Sequence, residues 1–276
     1  MSEQEQWQLD GSAPELYERY LVPAITSVWA ADLIDRANPK RGERVLDIAC
    51  GTGAVTRRAA DRMQSGRVVG LDFNSGMLGV ARSVASAGVT IEWCEGSAVD
   101  LPFENASFDL VLCQLGLQFF PDRPRALAEM KRVLSPAGRV ALSVYSSIER
   151  TSAAYAFVQA LDRHLGPESS KIKRAEHIFD KPDALSGIMI EAGFVDVVVE
   201  TVVKIIRFPS VFEYVRFQLT ATPMASLVSS RSDVERERVV GAVADQAQSL
   251  LEPEMLRDGR LSFSQEAYVA TALCGP

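Results

Sequence analysis

Arg44-Val45-Leu46-Asp47-Ile48-Ala49-Cys50-Gly51-Thr52-Gly53 decides the fold: a short apolar strand carries an acidic residue near its end, then a Gly-x-Gly turn opens into a helix-forming run from Ala54. This is how an α/β sheet builds a cofactor site. The glycines let the backbone turn sharply and approach a ligand with no Cβ in the way, while the free N–H groups of the next helix attract negative charge. Asp47 narrows the choice. A carboxylate just ahead of the turn repels a pyrophosphate and suits an ammonium, so the ligand expected is one that carries an amino-acid group. The dinucleotide pattern Gly-x-Gly-x-x-Gly is incomplete, because Thr56 occupies the third glycine position.

Outward from this turn, strands and helices alternate, the signature of a doubly wound parallel sheet. The predicted order is strand Arg44 to Ile48, helix Ala54 to Met63, strand Arg67 to Leu71, helix Ser75 to Ala87 and strand Val89 to Trp93. A turn-rich stretch leads to strand Phe108 to Cys113, helix Pro124 to Leu134, a turn at Ser135 to Gly138, and strand Arg139 to Tyr145. Upstream, apolar residues at helical spacing from Pro14 to Ala37 predict two helices divided at Pro23. Downstream, helices are expected at Thr151 to Leu165 and Pro182 to Ala192, the latter stopped by Gly193. A strand follows at Val195 to Phe208, then about fifty mainly helical residues, then a β-like stretch at Leu261 to Ala272.

The chain has 276 residues, a net charge of −7 and 47% hydrophobic residues. These values fit a globular protein and argue against a large phosphate-binding surface, so nucleic acid is not expected as a partner. No apolar run is long enough to span a membrane, and the acidic, polar start Met1 to Glu5 lacks the features of a secretory signal, so a cytoplasmic location is expected. Cys50, Cys94, Cys113 and Cys274 are scattered and the only histidines are His164 and His177, which gives neither a disulfide framework nor a metal site.

Four motifs then occur in order: Val-Leu-Asp-Ile-Ala-Cys-Gly-Thr-Gly (45–53), Val-Gly-Leu-Asp-Phe-Asn-Ser-Gly-Met-Leu (69–78), Gly-Ser-Ala-Val-Asp-Leu-Pro-Phe-Glu-Asn-Ala-Ser-Phe-Asp-Leu-Val (96–111) and Glu-Met-Lys-Arg-Val-Leu-Ser-Pro-Ala-Gly-Arg-Val (129–140). Together they resemble the class I methyltransferases that use S-adenosyl-L-methionine (SAM), in particular the broad small-molecule group that includes the ubiquinone and menaquinone C-methyltransferases. The likeness is good over residues 40 to 145 and loose elsewhere. It implies a Rossmann-like doubly wound sheet of seven strands, the last antiparallel, with helical cap insertions. It also implies SAM as cofactor, S-adenosyl-L-homocysteine as product, and a small, largely apolar metabolite methylated at oxygen or an activated carbon. One domain over 1–276 is expected, with cap helices at 1–40, a SAM-binding core at 41–145, and lid or acceptor insertions at 146–181 and 209–259. A monomer and a homodimer both remain open.

The residues can be assigned on that basis. Asp47, Ala49, Gly51, Thr52 and Gly53 form the turn, and Asp72, 25 residues after Asp47, stands where an acidic residue meets ribose hydroxyls. Phe73 and Met77 offer apolar surface to an adenine, and Gly96, Ser97 and Ala98 offer polar groups to its edge. Ser97 departs from the family, which often has Asp there. Gln114 and Leu115 would line the methionine portion. Gln118 and His177 are the candidates for a catalytic role, no base being obvious, and Tyr17, Tyr20, Gln118, Tyr214 and Phe217 are candidates for the acceptor pocket. Phe119 and Phe120 are read as core. Two other functions compete: a SAM-binding protein that transfers no methyl group, and a nicotinamide-dependent oxidoreductase, which Asp47 and Thr56 disfavour.

Overall fold

The computed structural model describes residues 13–84 and 89–275. Its centre is a mixed sheet in the order β3-β2-β1-β4-β5-β8-β6, formed by β1 (Arg44–Ile48), β2 (Arg67–Asp72), β3 (Ile91–Glu95), β4 (Phe108–Gln114), β5 (Leu134–Tyr145), β6 (Val195–Phe208) and β8 (Arg260–Leu273). The first five strands pair in parallel, and β8 runs antiparallel between β5 and β6. An eighth strand, β7 (Leu256–Arg257), makes a tight hairpin with β8 through Asp258 and Gly259, both at positive φ. Asp-Gly is the sequence signal for such a turn.

Central parallel strands are buried on both faces, which is why β1 reads as an almost continuous apolar run. Its side chains alternate between two cores. Val45, with Val68, Leu110 and Ala141, faces helices α2 (Ser27–Ala37), α3 (Ala54–Met63), α6 (Ser152–Leu165), α9 (Val211–Gln218) and α10 (Asp233–Gln248). Leu46 and Ile48, with Val69, Leu71, Val111 and Leu142, face α5 (Arg123–Val133) and α8 (Pro182–Glu191). Helix α4 (Ser75–Ser83) follows β2 and is N-capped by Asn74. The remaining short helices are α1 (Ala13–Leu16) and α7 (Lys171–Ala175). Among the described residues, no helix is long and apolar enough to cross a membrane.

Four local expectations change. Pro23 does not divide the amino-terminal helices. Residues Tyr17–Thr26 form a π-helix that contains Pro23 and joins α1 to α2, and the Ser27 N–H reaches back to the Val22 carbonyl, the five-residue spacing of a π-helix. Strand β3 begins at Ile91 and not at Val89, because pairing starts with Val68 against Ile91 while the Val89 N–H turns to the Ala60 carbonyl. The turn at 135–138 lies within β5: the register jumps from Phe108 against Leu134 to Leu110 against Arg139, a bulge in one strand and not a separate loop. The expected helix Ser75 to Ala87 is found to Ser83, and residues 85–87 lie outside the described set.

Candidate functional site

The carboxyl ends of β1, β2, β4 and β5 open onto one cleft of about 290 Å³, close to the lower end of the range for small-molecule sites. Its floor is the glycine turn. Ala49, Gly51 and Gly53 lie in the left-handed region at φ 56°, 55° and 87°. For Gly53 the conformation is reinforced by space, since a Cβ there would sit 2.3 Å from the Trp93 ring. The Asp72 carboxylate ties two turns together, accepting from the Gly51 N–H at 2.7 Å and the Asn74 N–H at 2.8 Å. Thr56, which breaks the dinucleotide pattern, donates its hydroxyl to Asp47 at 2.6 Å.

These contacts leave negative charge concentrated beside the turn. Burial raises the Asp47 carboxyl to about 7, with nearby Asp72 raising it further and the Thr56 hydrogen bond opposing. Burial also raises Asp72, against the stabilising N–H groups of Asn74, Gly51 and Phe73. Around the whole described wall the charged side chains are Asp47, Asp72 and Glu176 against Lys173, an excess that favours a cationic ligand. Three buried polar atoms of wall residues have no partner among the described residues: Thr52 Oγ1, Gln114 Oε1 and Gln218 Oε1. The Gln114 amide is held in place by its Nε2, which donates to the Thr26 carbonyl at 3.1 Å. Acidic groups, unpartnered acceptors and exposed apolar surface at Phe73 fit a ligand that joins a charged amino acid to a nucleoside.

Most of the proposed cofactor residues meet here. Asp47, Ala49, Gly51 and Thr52 line the cleft at the first turn, Asp72, Phe73 and Met77 at the second, Gly96, Ser97 and Ala98 at the third, and Gln114 and Leu115 at the fourth. Gly53 is displaced from the wall and begins α3, facing Trp93. The Ser97 hydroxyl accepts from the Val99 N–H at 3.4 Å within its own turn. Leu115 is another left-handed residue, at φ 50°, and the adjacent Gly116 has no room for a Cβ, which would lie 2.8 Å from the Ala49 Cβ.

The acceptor and catalytic candidates divide differently. Tyr17 lines the cleft with its hydroxyl 3.0 Å from Thr26 Oγ1. Tyr20 stacks on Phe217 at 4.2 Å, and Tyr214 packs edge-on among Phe157, Phe208 and Phe263, so these three fill core behind the wall. Gln118 is buried off the cleft and donates to the Leu115 carbonyl at 2.9 Å. His177 is likewise off the wall: it stacks on Tyr145, its Nδ1 lies 2.7 Å from the Ser146 carbonyl, and burial followed by Lys173 pushes its pKa down to about 3. That keeps it neutral. Phe119 and Phe120, read as core, are only half buried and face the cleft. Other wall residues missed in the sequence are Tyr145, at the end of β5, and Lys173, Glu176, Gln218 and Thr222 from the inserted segments. None belongs to a local motif.

Comparison with known proteins accords with this arrangement. The model of the ubiE/COQ5 methyltransferase family matches residues 20–203. A 2-phytyl-1,4-naphtoquinone methyltransferase of Thermosynechococcus vestitus is 35% identical over 178 residues, covering 60% of this chain and 79% of its relative. A demethylmenaquinone methyltransferase of Staphylococcus epidermidis is 32% identical over 187 residues, covering 63% and 77%. Among solved structures, phosphoethanolamine N-methyltransferase 2 of Haemonchus contortus, in complex with S-adenosylhomocysteine, superposes with a TM-score of 0.55 at 19% identity, covering 90% of this chain and 52% of that one. With its glycine turn, its paired carboxylates and a family match across most of the sheet, the chain belongs to the ubiE/COQ5 methyltransferase family and is a SAM-dependent methyltransferase acting on a small, largely apolar metabolite.

Proposed function

We propose that the cleft binds SAM along the ends of β1, β2, β3 and β4 and methylates a hydroxylated, largely apolar ring compound of quinol type, at oxygen or at a ring carbon. The observation that carries this reading is a cleft lined by both Asp47 and Asp72 and also by the apolar Leu21, Ile25, Phe119 and Phe120. Bound there, SAM supplies an electrophilic methyl group. Asp47 and the Gln114 carbonyl would receive its ammonium, the glycine turn its carboxylate, Asp72 the ribose hydroxyls, and Phe73 and Met77 the adenine. The names of the naphthoquinone and menaquinone relatives support the acceptor class. The residues' contribution is orientation and dryness: a fixed pose and exclusion of water lower the barrier to a reaction that disperses charge. Segments 13–37, 146–181 and 209–259 form the acceptor side of a single domain, and a small molecule is the inferred partner, nucleic acid being disfavoured by the net charge of −7.

Calorimetric titration of the purified protein with SAM, S-adenosylhomocysteine and NADH tests the donor side. Binding of the first two that is lost in Asp72→Ala supports the assignment; binding of NADH alone, or of none, overturns it. A methyl-sized mass increase on 1,4-naphthoquinol supplied with SAM then tests the acceptor class, and methylation confined to amines or nucleic acid would exclude it.

A further inference from the structure

The donor reading leaves two charged residues of the cleft without a task. Lys173 on α7 and Glu176 just beyond it are each 6% exposed, both line the cleft, and Lys173 Nζ lies 2.6 Å from Glu176 Oε2. Glu176 Oε1 has no partner among the described residues. Apolar residues of similar volume commonly stabilise a fold as well as such a buried pair does, so stability gives a weak reason for its presence here. A second observation points to a ligand. Gln218, at the end of α9, reaches the same cleft from the other inserted segment, is 2% exposed, and its Oε1 has no partner among the described residues. The pair is also held rigidly. Lys173 Nζ lies 5.8 Å from the centre of the Tyr145 ring, Tyr145 stacks on His177 at 5.0 Å, and His177 is fixed to the Ser146 carbonyl.

Resting on the reading of the cleft given above, we propose that Lys173 and Glu176 are the acceptor-side catalytic pair, Glu176 taking the proton of an acceptor hydroxyl and Lys173 holding the oxygen that loses it, with Gln218 orienting the acceptor. The balance is simple. The acceptor O–H bond breaks and its proton moves to a Glu176 oxygen. The electron pair left on the acceptor, on its oxygen or delocalised to a conjugated ring carbon, forms the new bond to the methyl carbon, and the S–CH₃ pair departs on sulfur. On the oxygen route Glu176 passes its proton on to water; on the carbon route the methylated ring carbon loses its own hydrogen as a proton to solvent and the ring oxygen regains a proton from Glu176. No oxidant or reductant is needed.

The surroundings suit a carboxylate that serves as a base. Burial raises the Glu176 carboxyl above its ordinary range while Lys173 opposes the rise. The titratable groups that face it are Lys173 on its own segment, Tyr17 from the π-helix, Tyr145 from β5 and Tyr214 from α9. The three phenols are all raised, by burial first, and so stay protonated. His177 touches Tyr145 but is held neutral.

The test uses the full chain, with Glu176→Gln and with the double variant Lys173→Met/Glu176→Leu, which leaves no unpaired charge behind. S-adenosylhomocysteine affinity, read by calorimetry, is expected to stay within about twofold of wild type in both, because neither residue lies on the donor side. Turnover of 1,4-naphthoquinol is expected to fall about 100-fold or more in both, and the acid limb of the kcat/KM profile is expected to vanish in Glu176→Gln. Binding of 1-naphthol to the S-adenosylhomocysteine complex is expected to weaken about tenfold in the double variant. Turnover within about threefold of wild type in either variant overturns the proposal. So does equal 1-naphthol binding by wild type and double variant, and where the quinol is not turned over this binding comparison decides alone. Failure of wild type to bind S-adenosylhomocysteine would sink the donor reading instead, and is seen separately.

Discussion

The two sides of the cleft are built by different means. On the sheet side, each polar group is set by a turn at a strand end: Asp47 by the end of β1, Asp72 by β2, Ser97 by the turn after β3 and Gln114 by β4. Backbone conformation does the placing, and residues at positive φ recur, including the non-glycine Ala49 and Leu115. On the inserted side, Lys173, Glu176 and Gln218 are placed by how helices pack, with no turn motif at any of them. A site made of turns tolerates little change in backbone. One made of packed helices tolerates changes in backbone but is sensitive to which face a helix presents.

The largest expected effect breaks the sheet side. Gly53→Ala combines a positive φ with a Cβ 2.3 Å from the Trp93 ring, and should cost about 3 kcal/mol, lowering Tm by roughly 8 °C. Thermal melts of Gly53→Ala with Trp93→Leu added should recover part of the loss. An unchanged Tm would show that the turn is more compliant than described. Next comes Asp72→Ala, which leaves the Gly51 and Asn74 N–H groups without their acceptor and should weaken SAM binding about 100-fold by calorimetry. Gln218→Ala on the inserted side should leave that binding near wild type, and an equal loss there would erase the contrast between the two sides.

A third prediction concerns pH. The Asp47 carboxyl is raised to about 7, and a cation is attracted by its ionised form, so SAM affinity should fall by roughly tenfold per unit as pH drops below about 7. Asp47→Asn should flatten that dependence. For the free protein the sign is opposite. Because the folded value is raised, the contribution of Asp47 to stability is fully present below about pH 4, the ordinary carboxylate range, and is lost as pH rises through about 7. Denaturant midpoints for wild type and Asp47→Asn between these limits check this; curves that stay parallel would refute it.

The smallest expected effect joins the two sides. Arg57 donates to the Thr52 carbonyl at 2.5 Å and to Glu18 of the π-helix at 2.9 Å, which fastens the amino-terminal segment to the glycine turn. Glu18→Ala should cost about 1 kcal/mol or less, a Tm change of roughly 2 °C. A double-mutant cycle with Arg57→Ala measures the coupling.

Legibility in the sequence follows the same division. Strand β1 and helix α3 are found with the predicted bounds, as is β6, because apolar periodicity and glycine positions are local properties. The turn residues facing the cleft could be named for the same reason, and Gly53 missed the wall by a single position. Tyr20, Tyr214 and Phe217 could not be placed from sequence. An aromatic residue on a helix is equally suited to core or pocket, and α9 turns Tyr214 inward while presenting Gln218. Chemical type alone points to Gln118 and His177, but a buried amide or imidazole fixed to a carbonyl serves the fold. Nothing in Lys-Ile-Lys-Arg-Ala-Glu (171–176) distinguishes Lys173 and Glu176 from a solvated charged helix. Only tertiary packing buries them.

Strand β8 pairs Leu261 with Phe208 at one end and Ala267 with Tyr145 further along. The chain therefore leaves β6 and enters β8 at neighbouring points on the edge that holds the cleft. In polymer terms the intervening segment is a loop whose ends are already clamped together. Doubling the length of such a loop costs only about 0.6 kcal/mol in closure entropy. A lineage can thus lengthen, shorten or rewrite it without retuning the sheet, so substrate range can drift over generations while the donor turn is inherited unchanged.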